Sequence, residues 1–189
     1  LSQIERILHQ LSSMNGLIAK MLDVTRLQGE VFALRRQENV DLVALIHSVA
    51  DQQAFQKHAI SVQSDEESLL VTVDRNRIEQ VLNNLLNNAI KYSPADAAIE
   101  VTVQQQQDIN EVIVAVRDEG NGIAEEDQLR LFERFYRAHS DANGSVAGLG
   151  LGLYISYSIV KQHQGRMWLV SKPGQGSTFF FALPLEPQI

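Results

Sequence analysis

Two carboxamides and an ammonium recur along one edge of a predicted helix in this chain. In the segment Asn84-Leu-Leu-Asn-Asn-Ala-Ile-Lys-Tyr92, a turn of about 100° per residue places Asn84, Asn88 and Lys91 within a narrow arc. Ile78, Leu82, Leu85 and Ala89 fill the adjoining arc, which can face a core. Amide oxygens can ligate a hard cation such as magnesium, whose other positions usually stay with waters and phosphate oxygens. A nearby lysine offsets phosphate charge. The pattern therefore points to a magnesium nucleotide rather than to a nucleotide alone.

Two further segments add to that chemistry. Asp118 ends a predicted strand where Gly120 and Gly122 let the backbone approach a ligand, so its carboxylate can accept a hydrogen bond from an exocyclic amine such as that of adenine. An aspartate capping an ordinary turn would give the same triplet, so Asp-x-Gly-x-Gly alone decides nothing. Gly148-Leu-Gly-Leu-Gly-Leu153 opens a predicted helix, and successive glycine amides at a helix N-terminus form an anion site suited to phosphates. Close helix packing is the competing reading. The run is neither a Rossmann fingerprint, since it follows a polar loop, nor a Walker loop, since no Gly-Lys-Ser/Thr follows.

The elements that must hold these residues are legible in the patterning. Leu1, Ile4, Leu8, Leu11, Ile18 and Leu22 follow heptad spacing with Asn15 and Thr25 at the remaining seam positions, which predicts a long amphipathic helix. Met14, Leu17 and Met21 widen the stripe toward a helical bundle, with packing on the chain's own domain as the competing reading, and Gly29 marks a stop. After a weak extended stretch over residues 32–40, Asp41 caps a helix toward His58. Strands are expected at 60–63 and 69–73, and Asp74 caps the asparagine-bearing helix, which stops before Pro94. Alternation at Ile99, Val101, Val103 and at Val112, Val114, Val116 gives two strands paired as an antiparallel hairpin around 108–110. A short helix over 125–132, a polar loop over 138–147, a helix over 151–163 and strands at 166–171 and 178–183 complete the series. Helices and strands in this order predict an α+β, two-layer α/β sandwich: one sheet with helices on one face.

Bulk properties exclude several classes. At 189 residues with net charge −7, the chain has room for one ordinary domain plus an extra element and lacks the basic run that nonspecific nucleic-acid binding needs. It contains no cysteine, which removes disulfides, thiolate catalysis and cysteine zinc sites and fits a reducing compartment. No apolar run approaches a membrane span. The chain begins at Leu1 rather than methionine, as a fragment would, and a missing part could carry a membrane anchor or sensor.

Together with Phe132-Glu-Arg-Phe-Tyr-Arg137 and Gly174-Gln-Gly-Ser-Thr-Phe179, these segments resemble the catalytic and ATP-binding domain of sensor histidine kinases from two-component systems. Residues 84–94 are similar to the family's N box, 118–124 to its first glycine box, 131–137 to its F box, 148–153 to its second glycine box and 174–179 to the last. The likeness runs from about Phe32 onward, and the first helix resembles the second helix of the family's dimerisation and phosphotransfer hairpin. The resemblance implies a Bergerat-type ATP-binding fold over residues 30–189, preceded by a partial dimerisation helix over 1–29. It implies ATP and magnesium as ligands, with Asn88 on the metal, helped by Asn84, Lys91 facing the phosphates and Tyr92 the adenine. Asp118 would read the adenine amine, with Gly120, Gly122 and Ile123 shaping the base pocket. Gly148, Gly150, Leu151 and Gly152 would meet the phosphates beneath a lid over 138–147. Arg134 and Arg137 are candidates for the transferring phosphate, or else solvated arginines flanking buried Phe132 and Phe135. Thr178 corresponds to a threonine near the base, with strand packing as the alternative. A response regulator, homodimerisation through the helical bundle and a cytoplasmic location follow from the same resemblance.

The departures matter as much. His9, His47, His58, His139 and His163 are the histidines, and none precedes the acidic residue and Arg-Thr-Pro-like run of the family's phosphoacceptor, so no acceptor is expected in this chain. ATP-hydrolysing machines of the same fold, among them DNA gyrase, carry a glutamate one turn before the metal-binding asparagine, where it activates water. Position 84 holds an asparagine, which cannot take that proton. The expected activity is therefore transfer of the γ-phosphoryl group to a histidine outside this chain, with a related-fold ATPase or a non-catalytic ATP-binding regulator as the alternatives.

Overall fold

A computed structural model describes residues 34–53, 58–138 and 149–185. The chain divides into two units, Leu1–Ala33 and Leu34–Ile189, and all described residues lie in the second. The expected bundle helix, Gly148, and all of the expected lid except Ala138 fall outside the described residues.

In chain order the elements are β1 (Gln37–Asp41), α1 (Leu42–Gln53), β2 (Ile60–Ser64), β3 (Leu70–Val73), α2 (Arg75–Tyr92), β4 (Ile99–Gln106), β5 (Glu111–Asp118), α3 (Glu125–Gln128), α4 (Gly152–Gln162), β6 (Arg166–Ser171) and β7 (Ser177–Pro184). Five strands form a mixed sheet in the order β2-β4-β5-β7-β6. β2 and β4 run parallel and the other neighbours antiparallel. β4 and β5 form the expected hairpin, turned by a short 3-10 segment and by Asn110 in the left-handed region. The single sheet expected from the sequence is corrected in one respect. β3 pairs antiparallel with β1 in a separate two-stranded sheet, Val40 opposite Val71 and Asp41 opposite Leu70. The extended stretch before α1 thus satisfies backbone groups that β3 would otherwise leave unpaired.

Local chemistry sets the helix ends. The Asp41 carboxylate accepts from the Ala44 N–H at 3.1 Å, and Asp74 caps α2 by accepting from the Arg77 N–H at 3.2 Å; a cap of this kind contributes about 1 kcal/mol. α2 stops at Tyr92 because Ser93, preceding Pro94, takes an extended ψ of 149°. Strict alternation sends Ile99, Val101 and Val103 of β4, Val112, Val114 and Val116 of β5, and Phe179 and Phe181 of β7 inward, all buried. Val114 lies opposite Phe181 and Val116 opposite Phe179. Leu42, Leu45, Ile46 and Val49 of α1, Ile78, Leu82, Leu85 and Ala89 of α2, and Ile155 and Ile159 of α4 supply the helical half of the core. Burying each large side chain contributes roughly 1.5–3 kcal/mol.

The helix expected over 125–132 is shortened to α3. Three-residue turns follow instead, with Arg130 donating to the Asp127 carbonyl and Glu133 to the Arg130 carbonyl. Phe135 then adopts a φ of +61° while its N–H reaches the Gly150 carbonyl at 3.1 Å. Tertiary pairing with the segment before α4 breaks a helix that local periodicity would continue. Phe132 is half-buried and Phe135 is 58% exposed, so the expectation of two buried phenylalanines is also corrected. Among the described residues, no helix is long and apolar enough to cross a membrane.

Candidate functional site

Asp118 closes β5 and is 5% exposed. Its Oδ1 accepts from the Gly120 N–H at 2.8 Å and the Ser177 N–H at 3.2 Å. Its Oδ2 accepts no hydrogen bond among the described residues, which leaves one acceptor for an incoming donor. Burial raises the carboxyl above the usual range, against the pull of the two N–H groups.

The two turns beside Asp118 interlock. A Cβ on Gly122, whose φ is +67°, would lie 1.9 Å from the Lys172 carbonyl oxygen, and one on Gly176, φ +75°, would lie 2.1 Å from that of Asp118. No side chain fits at either position. The Gly174 N–H donates to the Asn121 carbonyl at 2.7 Å. Ser171 ties the turns together: its Oγ accepts from the Ile123 N–H at 2.9 Å and donates to the Gly176 carbonyl at 2.9 Å. Ser177 Oγ lies 3.0 Å from Ser171 Oγ. Tyr92 enters from α2, where a Cβ on Gly120 would come within 2.6 Å of the Tyr92 carbonyl oxygen.

The carboxamides of α2 divide in their use. Asn84 Nδ2 donates to the Gly152 carbonyl and to Ser156 Oγ, each at 3.2 Å, tying α2 to the first turn of α4. Asn88, one turn on and half-buried, makes no side-chain hydrogen bond among the described residues, so its oxygen is available to a ligand. Lys91 is exposed and lies 5.0 Å from the Tyr92 ring centroid. Gly150, φ +68°, packs against the backbone of Phe135 and Tyr136, and Leu151 is buried at the start of α4. Asn84, Gly150, Leu151 and Gly152 thus share one end of the domain. Arg134 is exposed and directed onto α4, donating to Tyr154 Oη at 2.7 Å; Arg137 is half-buried.

Thr178 is not brought to Asp118. The register sets Ser177 opposite Asp118 and Thr178 opposite Arg117, and alternation turns the threonine to the other sheet face. Ser177, Ser171 and Gln128 are site residues that sequence reasoning missed. Gln128 Nε2 donates to the Ile123 and Ser171 carbonyls, each at 3.0 Å. Its partner Ser171 lies 43 positions away, a separation that local patterning cannot bridge.

Residues 73–187 match the family model of histidine kinase-, DNA gyrase B- and HSP90-like ATPases. The chain belongs to that family. Sensor-like histidine kinase SenX3 of Mycobacterium tuberculosis is 35% identical over 187 residues, which cover 95% of this chain and 44% of that protein. The nucleotide-free catalytic domain of the histidine kinase ThkA superposes with a TM-score of 0.69 at 30% identity, covering 82% of this chain and 98% of that one. Full-length ShkA in complex with AMPPNP gives 0.80 at 26% identity, over 98% of this chain and 39% of that chain. The chain spans less than half the length of the curated relatives it matches. It carries an ATP-binding catalytic domain of the histidine kinase type, with the mixed sheet and one-sided helices that this implies.

In this histidine kinase-type domain, α4 joins the glycine segment at its start to a buried histidine at its end. His163 is 3% exposed. Its Nε2 accepts from the Asp74 N–H at 2.9 Å, so Nδ1 carries the proton and donates to the Ile159 carbonyl at 2.8 Å. Burial pushes the imidazole below its ordinary value and Arg36 adds to this, against the Ile159 carbonyl and Asp74. His163 is therefore a neutral group that ties the end of α4 to the start of α2.

Proposed function

We propose that this domain binds ATP with magnesium and presents the γ-phosphoryl group to a histidine on a helix outside this chain, for relay to an aspartate of a response regulator. One observation carries the reading. A buried carboxylate, Asp118, keeps one oxygen for a donor while its other oxygen and two closely seated glycine turns fix its position, as recognition of an adenine amine requires. Tyr92, Gly120, Gly122 and Ile123 wall the base. Asn88 takes the magnesium through its unengaged amide oxygen. Lys91, Gly148, Gly150, Leu151 and Gly152 face the phosphates, and Arg134 and Arg137 stand beside them. Asn84 completes the metal end by holding the first turn of α4 in place. The lid expected over 138–147 lies, apart from Ala138, outside the described residues.

Bound magnesium would neutralise phosphate charge; the protein's part is positioning, which dominates phosphoryl transfer. An asparagine at 84 supplies no base for water, which favours transfer over hydrolysis. The segment over 1–29, which lies outside the described residues, associates with a second copy, in a parent protein whose catalytic part lies in the cytoplasm.

The test is radiolabelled ATP with the chain alone and then with a helical hairpin bearing an acceptor histidine. Acid-labile, base-stable label on the hairpin alone is expected, and lost in Asp118→Asn. Stoichiometric label on His9, or rapid turnover by water, would overturn the assignment.

A further inference from the structure

Two neighbouring residues of α3 point at opposite ends of the site. Gln128 faces the base end: its amide spans the Ile123 and Ser171 carbonyls. Ser171 in turn fixes the Ile123 N–H and the Gly176 carbonyl, whose neighbour Ser177 donates its N–H to Asp118. Asp127 faces the other way. It is 3% exposed, and its Oδ1 accepts from the Tyr136 hydroxyl at 2.5 Å. The Tyr136 backbone packs on Gly150 so closely that a Cβ there would come within 2.6 Å of its carbonyl oxygen, and the Phe135 N–H is bonded to the Gly150 carbonyl. Gly150 leads into Gly152, whose carbonyl Asn84 holds.

We infer that Asp127 and Gln128 are positioning residues that couple the base pocket to the glycine segment at the start of α4, with Tyr136 as the intermediate contact. The inference rests on the ATP-site reading above and goes beyond it. One short, turn-bonded peptide unit, with the Asp127 N–H on the Ala124 carbonyl and the Arg130 N–H on the Asp127 carbonyl, carries both attachments. Displacing the base-pocket turn therefore moves the contact that seats Gly150, and the reverse. Asp127 carries this task because a buried carboxylate makes a short, charge-assisted bond to a phenol. That bond also raises the Tyr136 phenol above its ordinary value, keeping it a donor.

Adenosine and ATP separate the two ends. Adenosine reports the base pocket alone; ATP with magnesium reports both. Coupling of ordinary strength shifts affinity roughly five-fold or more, and it is reciprocal. Tyr136→Phe removes the Asp127 bond at a half-exposed ring and touches no base-pocket residue. It should weaken adenosine binding by about five-fold, measured by calorimetry. Asp127→Ala should do the same, and Asp127→Asn, which keeps an acceptor oxygen, should recover most of the loss. Gln128→Glu deletes both donated bonds without changing shape and should lower the ratio of ATP to adenosine affinity, not adenosine affinity alone. Combined with Tyr136→Phe it should cost less than the product of the two single effects.

Adenosine affinity within two-fold of the parent in Tyr136→Phe, with an unchanged ratio in Gln128→Glu, would overturn the coupling. Asp118→Asn serves as the separate control: if it leaves adenosine binding intact, the base-site assignment itself fails. If it weakens binding while Tyr136→Phe does not, only the coupling is refuted.

Discussion

Around Asp118 the walls are backbone: two glycine turns seated within van der Waals contact, closed by serine hydroxyls that have their partners inside the chain. On α2, by contrast, Lys91 is exposed and Asn88 half-buried, and the groups offered to a ligand are side chains. The first region is fixed by backbone contacts within the chain; on the proposed reading, the second would gather around the ligand's own charge and metal. Recognition of a flat, uncharged base needs fixed shape and one or two aimed hydrogen bonds. Recognition of phosphates needs charge and N–H groups that gather around a cation, which side chains and helix-end amides supply.

Breaking the rigid end should therefore cost the most. Gly176→Ala places a Cβ against the Asp118 carbonyl at a φ of +75°, and strain plus clash should destabilise the fold by roughly 2–4 kcal/mol. Gly174 has the same φ but nothing within 4 Å, so Gly174→Ala should cost only about 1–2 kcal/mol for the backbone conformation. Thermal unfolding of the two variants checks this directly. Equal losses would mean that the seating of the turns contributes nothing.

The next effect is on binding alone. Asp118→Asn puts an amide N–H where either the turn's donors or the base amine needs an acceptor, and the lost or opposed hydrogen bond of about 1–3 kcal/mol should weaken adenosine and ATP alike by ten-fold or more. Asn88→Ala should separate them. Magnesium-ATP affinity should fall about ten-fold while adenosine affinity stays within two-fold, by titration with and without magnesium. A comparable loss of adenosine binding in Asn88→Ala would erase the division between the two ends.

The same division explains what the sequence could and could not disclose. Asn84, Asn88 and Lys91 share an arc on one helix, so elementary helix geometry brings them together, and Asp41 and Asp74 cap helices through residues three positions on. The inward valines of β4 and β5 follow from alternation. Other features depend on distant partners. The pairing of β1 with β3, the early end of α3 and the Gln128–Ser171 link all join residues far apart in sequence, and no local pattern carries a signal for them. Only the register with β5 fixes that Ser177, and not Thr178, lies opposite Asp118.

The smallest effect expected is on acidification, and it sharpens the contrast because stability and binding respond through different groups. His163 titrates near 6.5 in the unfolded chain and lower in the fold, since burial and the Asp74 N–H on Nε2 oppose its second proton. The unfolded state therefore takes up a proton that the folded state refuses. This stabilising contribution is complete above about pH 6.5 and is lost as pH falls toward the folded value. His163→Gln should remove that slope from a denaturation series between pH 7 and 5. Asp118 has the opposite shift: its folded carboxyl titrates above the usual range, so for the empty site the folded state takes up the proton first, and stability from this group does not fall on acidification. Nucleotide binding should fall, because on the proposed reading the protonated oxygen no longer accepts from the base amine. Adenosine, which carries no titrating phosphate, isolates this loss: its affinity should decline at a higher pH than an ordinary aspartate would dictate, and it should do so equally in the parent and in His163→Gln. A decline that vanishes in the His163 variant would assign the pH response of the site to the far end of α4 rather than to the carboxylate at its centre.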